Sequence, residues 1–298
     1  MRVLVFGTKG QVGSELKRIL GPEDSVRFAS RLEADFTKPQ MIERLIEEFR
    51  PSHIINAAAY TAVDQAEIDE ALAFVVNAEA LQVMASCALK VDAMLVHYST
   101  DYVFDGSSQM SYEEGDTPNP LGVYGKSKLL GEVYIRESGC RYLILRTSWV
   151  ISATGNNFIK TILKLAKVNE QLSVVNDQIG APTSADLIAR VTCDLIQKDE
   201  QDPLSSEIYH LSSSGEASWF DVAVHAINRA INAGVSLACD PNNVSPIPTS
   251  EYPTRAARPA NSRLNSDKLE TLLALNMPYW TDGVDGTIDE LIRKGLLK

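Results

Sequence analysis

The first 150 residues alternate short, almost wholly apolar runs with amphipathic stretches of helical length, and this alternation constrains the fold more than any single motif. Val3–Phe6, Ser25–Ala29, His53–Asn56, Ala93–Tyr98 and Tyr142–Arg146 read as strands. Between them, Gln11–Leu20, Gln40–Phe49, Ala71–Leu89 and Tyr124–Glu137 read as helices. Strands rich in Val, Ile and Leu on both faces need cover on both faces, which implies a parallel sheet between two helical layers. Right-handed crossovers then give a doubly wound, Rossmann-like α/β sheet.

Past residue 150 the pattern loosens. Asn156–Lys167, Ala185–Gln197 and Ser218–Ala233 read as helices and Glu207–Leu211 as a strand. An irregular, Pro-rich stretch runs from Asp240 to Asn265, and two short helices close the chain. The expected division is a Rossmann domain at 1–150, which also receives later segments, and a smaller, interleaved lobe made mainly by 151–298.

Charge and composition narrow the partners. With 28 Lys+Arg against 39 Asp+Glu, the 298-residue chain carries a formal net charge of −11, which disfavours nucleic acid. Apolar stretches break before the roughly 20 residues of a membrane span, and the N-terminus, MRVLVFGTKG, does not read as a signal peptide. Cys87, Cys140, Cys193 and Cys239 form no Cys-x-x-Cys pair, and the four histidines are as scattered, so each reads as structural. A soluble, cytoplasmic protein is expected.

The chemistry-bearing residues sit at strand ends. GTKGQVG follows the first strand and opens the first helix, placing Gly7, Gly10 and Gly13 where backbone N–H groups and a helix dipole meet a pyrophosphate. This marks 1–150 as dinucleotide-binding. The second strand ends in Ala29-Ser30-Arg31: Ser30 stands where NAD readers place an acid, and Arg31 offers a cation for a 2′-phosphate, or is a plain surface charge. Asp35 and Phe36 could flank the adenine. Tyr124 and Lys128, four apart, share a helix face, where a cation favours tyrosinate. The fourth strand ends in Tyr98-Ser99-Thr100-Asp101, so a phenol, a cation and a polarising hydroxyl converge.

At these residues the chain resembles the extended short-chain dehydrogenase/reductase family. The likeness extends through NAAAYTAVDQAE, HYSTDYVFDG, NPLGVYGKSKLLGE, LRTSWV, GNNF, LSVVNDQIGAPT, YPTRAARP and NSRLN. It implies NADPH-dependent reduction of the 4-keto group of dTDP-4-dehydro-β-L-rhamnose, with NADH as the second cofactor candidate. Hydride would go to C4 and Tyr124 would protonate the oxygen. Lys128 would hold the nicotinamide ribose and depress the Tyr124 pKa, and Thr100 would bond the reacting oxygen. Gly10, Gln11 and Val12 would line the pyrophosphate, Ala59, Tyr60 and Thr61 the cofactor's middle, and Asp101 and Trp149 the sugar. Some members bind Mg²⁺ at a dimer interface through three glutamates. Glu15, Asp186 and Glu290 match those positions, which leaves Mg²⁺ and a homodimer as open expectations.

Two rivals stand beside this reading. One is a non-catalytic NADP-binding regulatory subunit similar to the methionine adenosyltransferase beta subunit; the other is a different nucleotide-sugar reductase or epimerase. A chain of net −11 that holds two diphosphates also needs local positive charge. Glu251–Lys268 supplies it, with Arg255, Arg258, Arg263 and Lys268 against Glu251 and Asp267. Arg258 or Arg263 is therefore expected near the sugar nucleotide.

Overall fold

The computed structural model describes residues 1–297. Six strands form one parallel sheet: β1 (Val3–Phe6), β2 (Val26–Ala29), β3 (His53–Asn56), β4 (Met94–Thr100), β5 (Arg141–Thr147) and β6 (Glu207–His210), in the order β2-β1-β3-β4-β5-β6. Every pairing is parallel. The order turns back on itself between β1 and β3, the switch point where sheets of this kind open a crevice at their carboxyl ends.

The apolar runs are continuous because both faces are covered. Leu4 and Phe6 of β1 point into a core built with α2 (Pro39–Phe49) and α3 (Glu70–Val91). Val3 and Val5 point the other way, onto α1 (Gln11–Leu20) and, later in the chain, Ala185–Gln201. The sheet-covering set is completed by α4 (Val123–Glu137), which packs on β4 and β5. Beyond it come α5 (Phe158–Ala166), α6 (Ala185–Gln201), α7 (Trp219–Asn232) and α8 (Trp280–Arg293). Of these, α5, α7 and α8 enclose a second core, while α6 and β6 belong to the sheet.

Two sequence expectations change. The 22 residues of α3 are long and apolar enough to cross a membrane, against the expectation that no stretch reaches that length. Half of its most apolar 18-residue stretch is buried inside the protein, where it packs on the sheet core. The last helix has 14 residues rather than a few, because Gly283 and Gly286 lie inside it. A Cβ on Gly283 would sit 3.2 Å from Ser184 Cβ, so that glycine answers close packing rather than a helix end. Two-residue strands such as Val150–Ile151 and Thr183–Ser184 pair within the lobe and are too short to show periodicity.

One buried ion pair ties α4 to the sheet. Arg146 of β5 reaches Glu132 through Nε (3.0 Å) and Nη2 (2.7 Å), and both residues are almost wholly buried. The Ser99 hydroxyl of β4 also donates to Glu132. Removing one partner strands the other charge in the core. Glu132→Ala is therefore expected to cost about 3–5 kcal/mol of stability, measured by urea unfolding.

Candidate functional site

The glycine turn is shaped by what it excludes. Gly7 has φ +80°, and a Cβ there would lie 2.4 Å from the Ala57 backbone. A Cβ on Gly13 would lie 2.2 Å from the Gly7 carbonyl oxygen. The turn therefore keeps α1 tight against the end of β1. Gly10 caps α1 with no side-chain hydrogen bond, and the first turn holds no acid, so its N–H groups stay open to an anion. Val12 packs toward the sheet core. The Gln11 side chain is engaged by the lobe, donating to the Val150 carbonyl and accepting from Asn157. These features fit a dinucleotide pyrophosphate.

At the end of β2 the structure adds a group that sequence reasoning missed. Ser30 donates to Glu33 Oε2 through its backbone N–H (2.9 Å) and its hydroxyl (3.0 Å). Those bonds, with Arg27 nearby, hold the Glu33 carboxyl below its ordinary range. A carboxylate therefore stands beside Ser30, three residues along a turn. Arg31 is exposed. Asp35 is held by Thr37, whereas Phe36 is buried edge-on against Phe6 and belongs to the core.

Beyond β3, Tyr60 is fixed at its backbone by Asn77, which accepts from its N–H (2.8 Å) and donates to its carbonyl (3.0 Å). Asn77 lies in a π-helical stretch of α3, Val75–Glu79, and also donates to Ser127 of α4. A wide turn of this kind re-aims one side chain without ending the helix. Ala59 and Thr61 flank Tyr60 on the same loop.

At the end of β4 the expected trio meets. The Thr100 hydroxyl donates to Asp101 Oδ1 (3.0 Å) and lies beside the Tyr124 phenol. Tyr102 packs edge-on against Tyr124. Burial pushes the Tyr124 phenol up to about 12, with Thr100 pulling the other way. Lys128 takes no part in that shift: in this geometry its Nζ bonds His97 Nε2 (2.9 Å) and the Tyr98 carbonyl (2.6 Å). Burial brings Lys128 itself down to about 7. Asp101 is raised to about 6 by burial, and its Oδ2 has no partner among the described residues.

Trp149 adopts a left-handed backbone conformation, φ +47°, and stacks on Trp219 with centroids 3.5 Å apart. Gly180 makes the room, since a Cβ there would sit 2.7 Å from the Trp149 ring. Arg258 pairs with Asp64 (2.9 Å), leaves its buried Nε free of partners and lies close enough to Tyr102 to act on its phenol. Arg263 instead braces Glu216, Asn261 and the Gln109 carbonyl. Of the two arginines, Arg258 stands beside the trio.

Glu15, Asp186 and Glu290 line one cleft of about 390 Å³, but Arg18 sits among them. It pairs with Glu15 (2.7 Å) and with Asp186, while Arg190 takes Asp186 (2.8 Å) and Lys294 takes Glu290 (2.7 Å). No group of three potential metal ligands converges among the described residues. As arranged, these acids form a salt-bridge network rather than the oxygen shell that Mg²⁺ requires.

The family described as RmlD substrate binding domain matches residues 1–293. The dTDP-4-dehydrorhamnose reductase of Escherichia coli K12 is 43% identical over 295 residues, covering 98% of each chain. The crystal structure of a dTDP-4-dehydrorhamnose reductase from Bacillus anthracis in complex with NADP superposes with a TM-score of 0.87. It is 37% identical, and the match covers 97% of this chain and 99% of that one. A Clostridium acetobutylicum dTDP-4-dehydrorhamnose reductase gives 0.89 at 34% identity, covering 98% and 100%.

Because a Cβ on Gly13 would press into the Gly7 carbonyl, Gly13→Ala is expected to weaken nicotinamide-dinucleotide affinity at least tenfold, read by quenching of intrinsic fluorescence on titration.

Proposed function

The chain belongs to the RmlD substrate binding domain family, and on that premise we propose that it reduces the 4-keto group of dTDP-4-dehydro-β-L-rhamnose to dTDP-L-rhamnose, using NADPH. The observation that carries this reading is the meeting of Tyr124, Thr100 and Lys128 at the carboxyl end of β4. That point lies across the sheet's switch point from the glycine turn.

Bound NADPH supplies the hydride for C4. The remaining work falls to the chain. Reduction of a ketone requires a proton donor at the oxygen; burial keeps the Tyr124 phenol protonated, and giving that proton up needs a positive charge nearby. Thr100 shares the developing charge on the oxygen through a hydrogen bond. Lys128, as a cation, stabilises the tyrosinate left behind and holds the ribose. Asp101 Oδ2, Arg258 Nε and the Trp149–Trp219 stack offer an acceptor, a donor and an apolar platform for the sugar nucleotide. No step passes through a metal.

The rival reading as a non-catalytic NADP-binding subunit predicts cofactor binding without turnover. Tyr124→Phe separates the two. It is expected to lower kcat by about 10²–10⁴-fold with little change in KM, measured as NADPH oxidation with dTDP-4-dehydrorhamnose. Turnover near the wild-type value would remove Tyr124 as the donor.

Cofactor choice turns on the Ser30–Glu33 pair. A 2′-phosphate needs the Ser30 donors and Arg31, and it meets the Glu33 charge there. Glu33→Gln is expected to raise the ratio of kcat/KM for NADPH over NADH about three- to tenfold in steady-state assays, consistent with loss of one exposed like-charge contact.

A further inference from the structure

Beneath the site runs a buried polar chain, Asn56–His97–Lys128, whose first two members the reaction leaves without a role. Ala58 N–H donates to Asn56 Oδ1 (3.1 Å), which fixes the Asn56 amide. Its Nδ2 then faces His97 Nδ1 at 3.1 Å. An amide nitrogen only donates, so Nδ1 is the accepting nitrogen of the ring. A neutral imidazole that accepts at Nδ1 carries its proton on Nε2. That N–H points at Lys128 Nζ, 2.9 Å away. Against an ammonium, two donors would face each other; the bond closes only when Nζ offers a lone pair. A neutral amine can do this and still donate to the Tyr98 carbonyl at 2.6 Å.

We propose that His97, locked as the Nε2–H tautomer by Asn56, is a positioning residue that holds Lys128 as an uncharged amine in the free protein. His97 acts through Lys128 and touches neither substrate nor cofactor.

The surroundings agree. Asn56, His97 and Lys128 are each almost wholly buried, where a charge is costly. Burial holds His97 well below its usual range, which disfavours a doubly protonated ring. The titratable groups set against Lys128 are His97 on β4 and Glu132 on its own helix; Glu67 accepts from the Val123 N–H at the amino end of α4. Glu132 favours the cation, but Arg146 and Ser99 already engage its carboxylate. From α3 the polar neighbour of this helix is the neutral Asn77.

This deepens the proposed reaction, in which Lys128 works as a cation. The free protein stores the amine neutral, and the anionic dinucleotide draws a proton onto it. Competence then falls as pH rises through about 7, the point to which burial brings Lys128, and the bond from His97 favours the uncharged side of that equilibrium.

Two measurements test this. In the ligand-free protein at pH 8, ¹⁵N spectra of labelled histidine should show His97 protonated at Nε2 alone; protonation at Nδ1 overturns the proposal. In His97→Gln the side-chain oxygen can turn to accept from Nζ, so the lysine keeps its proton longer. The high-pH fall of kcat/KM for NADPH should then move up by about one pH unit, a tenfold gain on the alkaline limb. An unmoved profile in an active variant overturns it. Should that variant fail to fold, Asn56→Asp supplies the second arm: a carboxylate accepts from Nδ1–H, and the ¹⁵N spectrum should show that switch, an unswitched ring counting against the proposal. If the wild type turns over no nucleotide sugar, the reaction assigned above fails while the tautomer still decides the role of His97.

Discussion

The site depends on a buried bidentate contact between Glu132 and Arg146. A charge pair in this setting contributes little net stability over an apolar replacement, because desolvation offsets much of its Coulomb attraction. What it supplies is register. Tyr124, Lys128 and Glu132 fall at four-residue intervals along one stripe of α4. Anchoring the third to β5, and through Ser99 to β4, fixes where the first two stand over the end of the sheet. Two glycines let the helix approach closely enough. A Cβ at Gly125 would meet the Tyr102 carbonyl at 2.2 Å, and one at Gly131 the Asn77 carbonyl at 2.2 Å.

That close approach governs the electrostatics. Tyr124, Lys128, His97 and Asp101 are all displaced toward their uncharged forms, and in each case burial is the largest cause. The protein thus carries its charge on the outside, net −11, and keeps a nearly neutral interior where a ketone oxygen would acquire negative charge. A site prepared in this way responds strongly to any ion that enters it, since little water is present to screen the interaction.

How much of this was legible in the sequence follows from the range of the forces involved. The sheet strands and their helices were readable because continuous Val, Ile and Leu runs have one economical arrangement, and the observed β1 and β3 match the expected spans residue for residue. The glycine turn and the Tyr124–Lys128 pair were readable because turn geometry and helical spacing are local. The Asn56–His97–Lys128 chain was not, since it joins three segments far apart in sequence that only the sheet brings together. His97 looked like one more scattered histidine for the same reason. Trp219 stacks on Trp149 across the lobe and left no local signal, and the division of labour between Arg258 and Arg263 depended on which of Asp64 and Glu216 each would meet. Glu33, three residues from Ser30, was within local reach and went unread.

The return of β6 to the large sheet has a consequence for the order in which the molecule can be made. β5 ends at Thr147, and its outer edge pairs with nothing until Glu207–His210 has been synthesised. Between them the chain lays down α5 and α6, and α6 must already cover the sheet on the side of α1. On the ribosome, then, an exposed edge of a mostly finished sheet persists while the intervening residues emerge, a template for wrong pairing during that interval. Closing it brings residues 207–210 back onto a sheet begun by residues 3–6, so the sheet is complete only once two thirds of the chain exist.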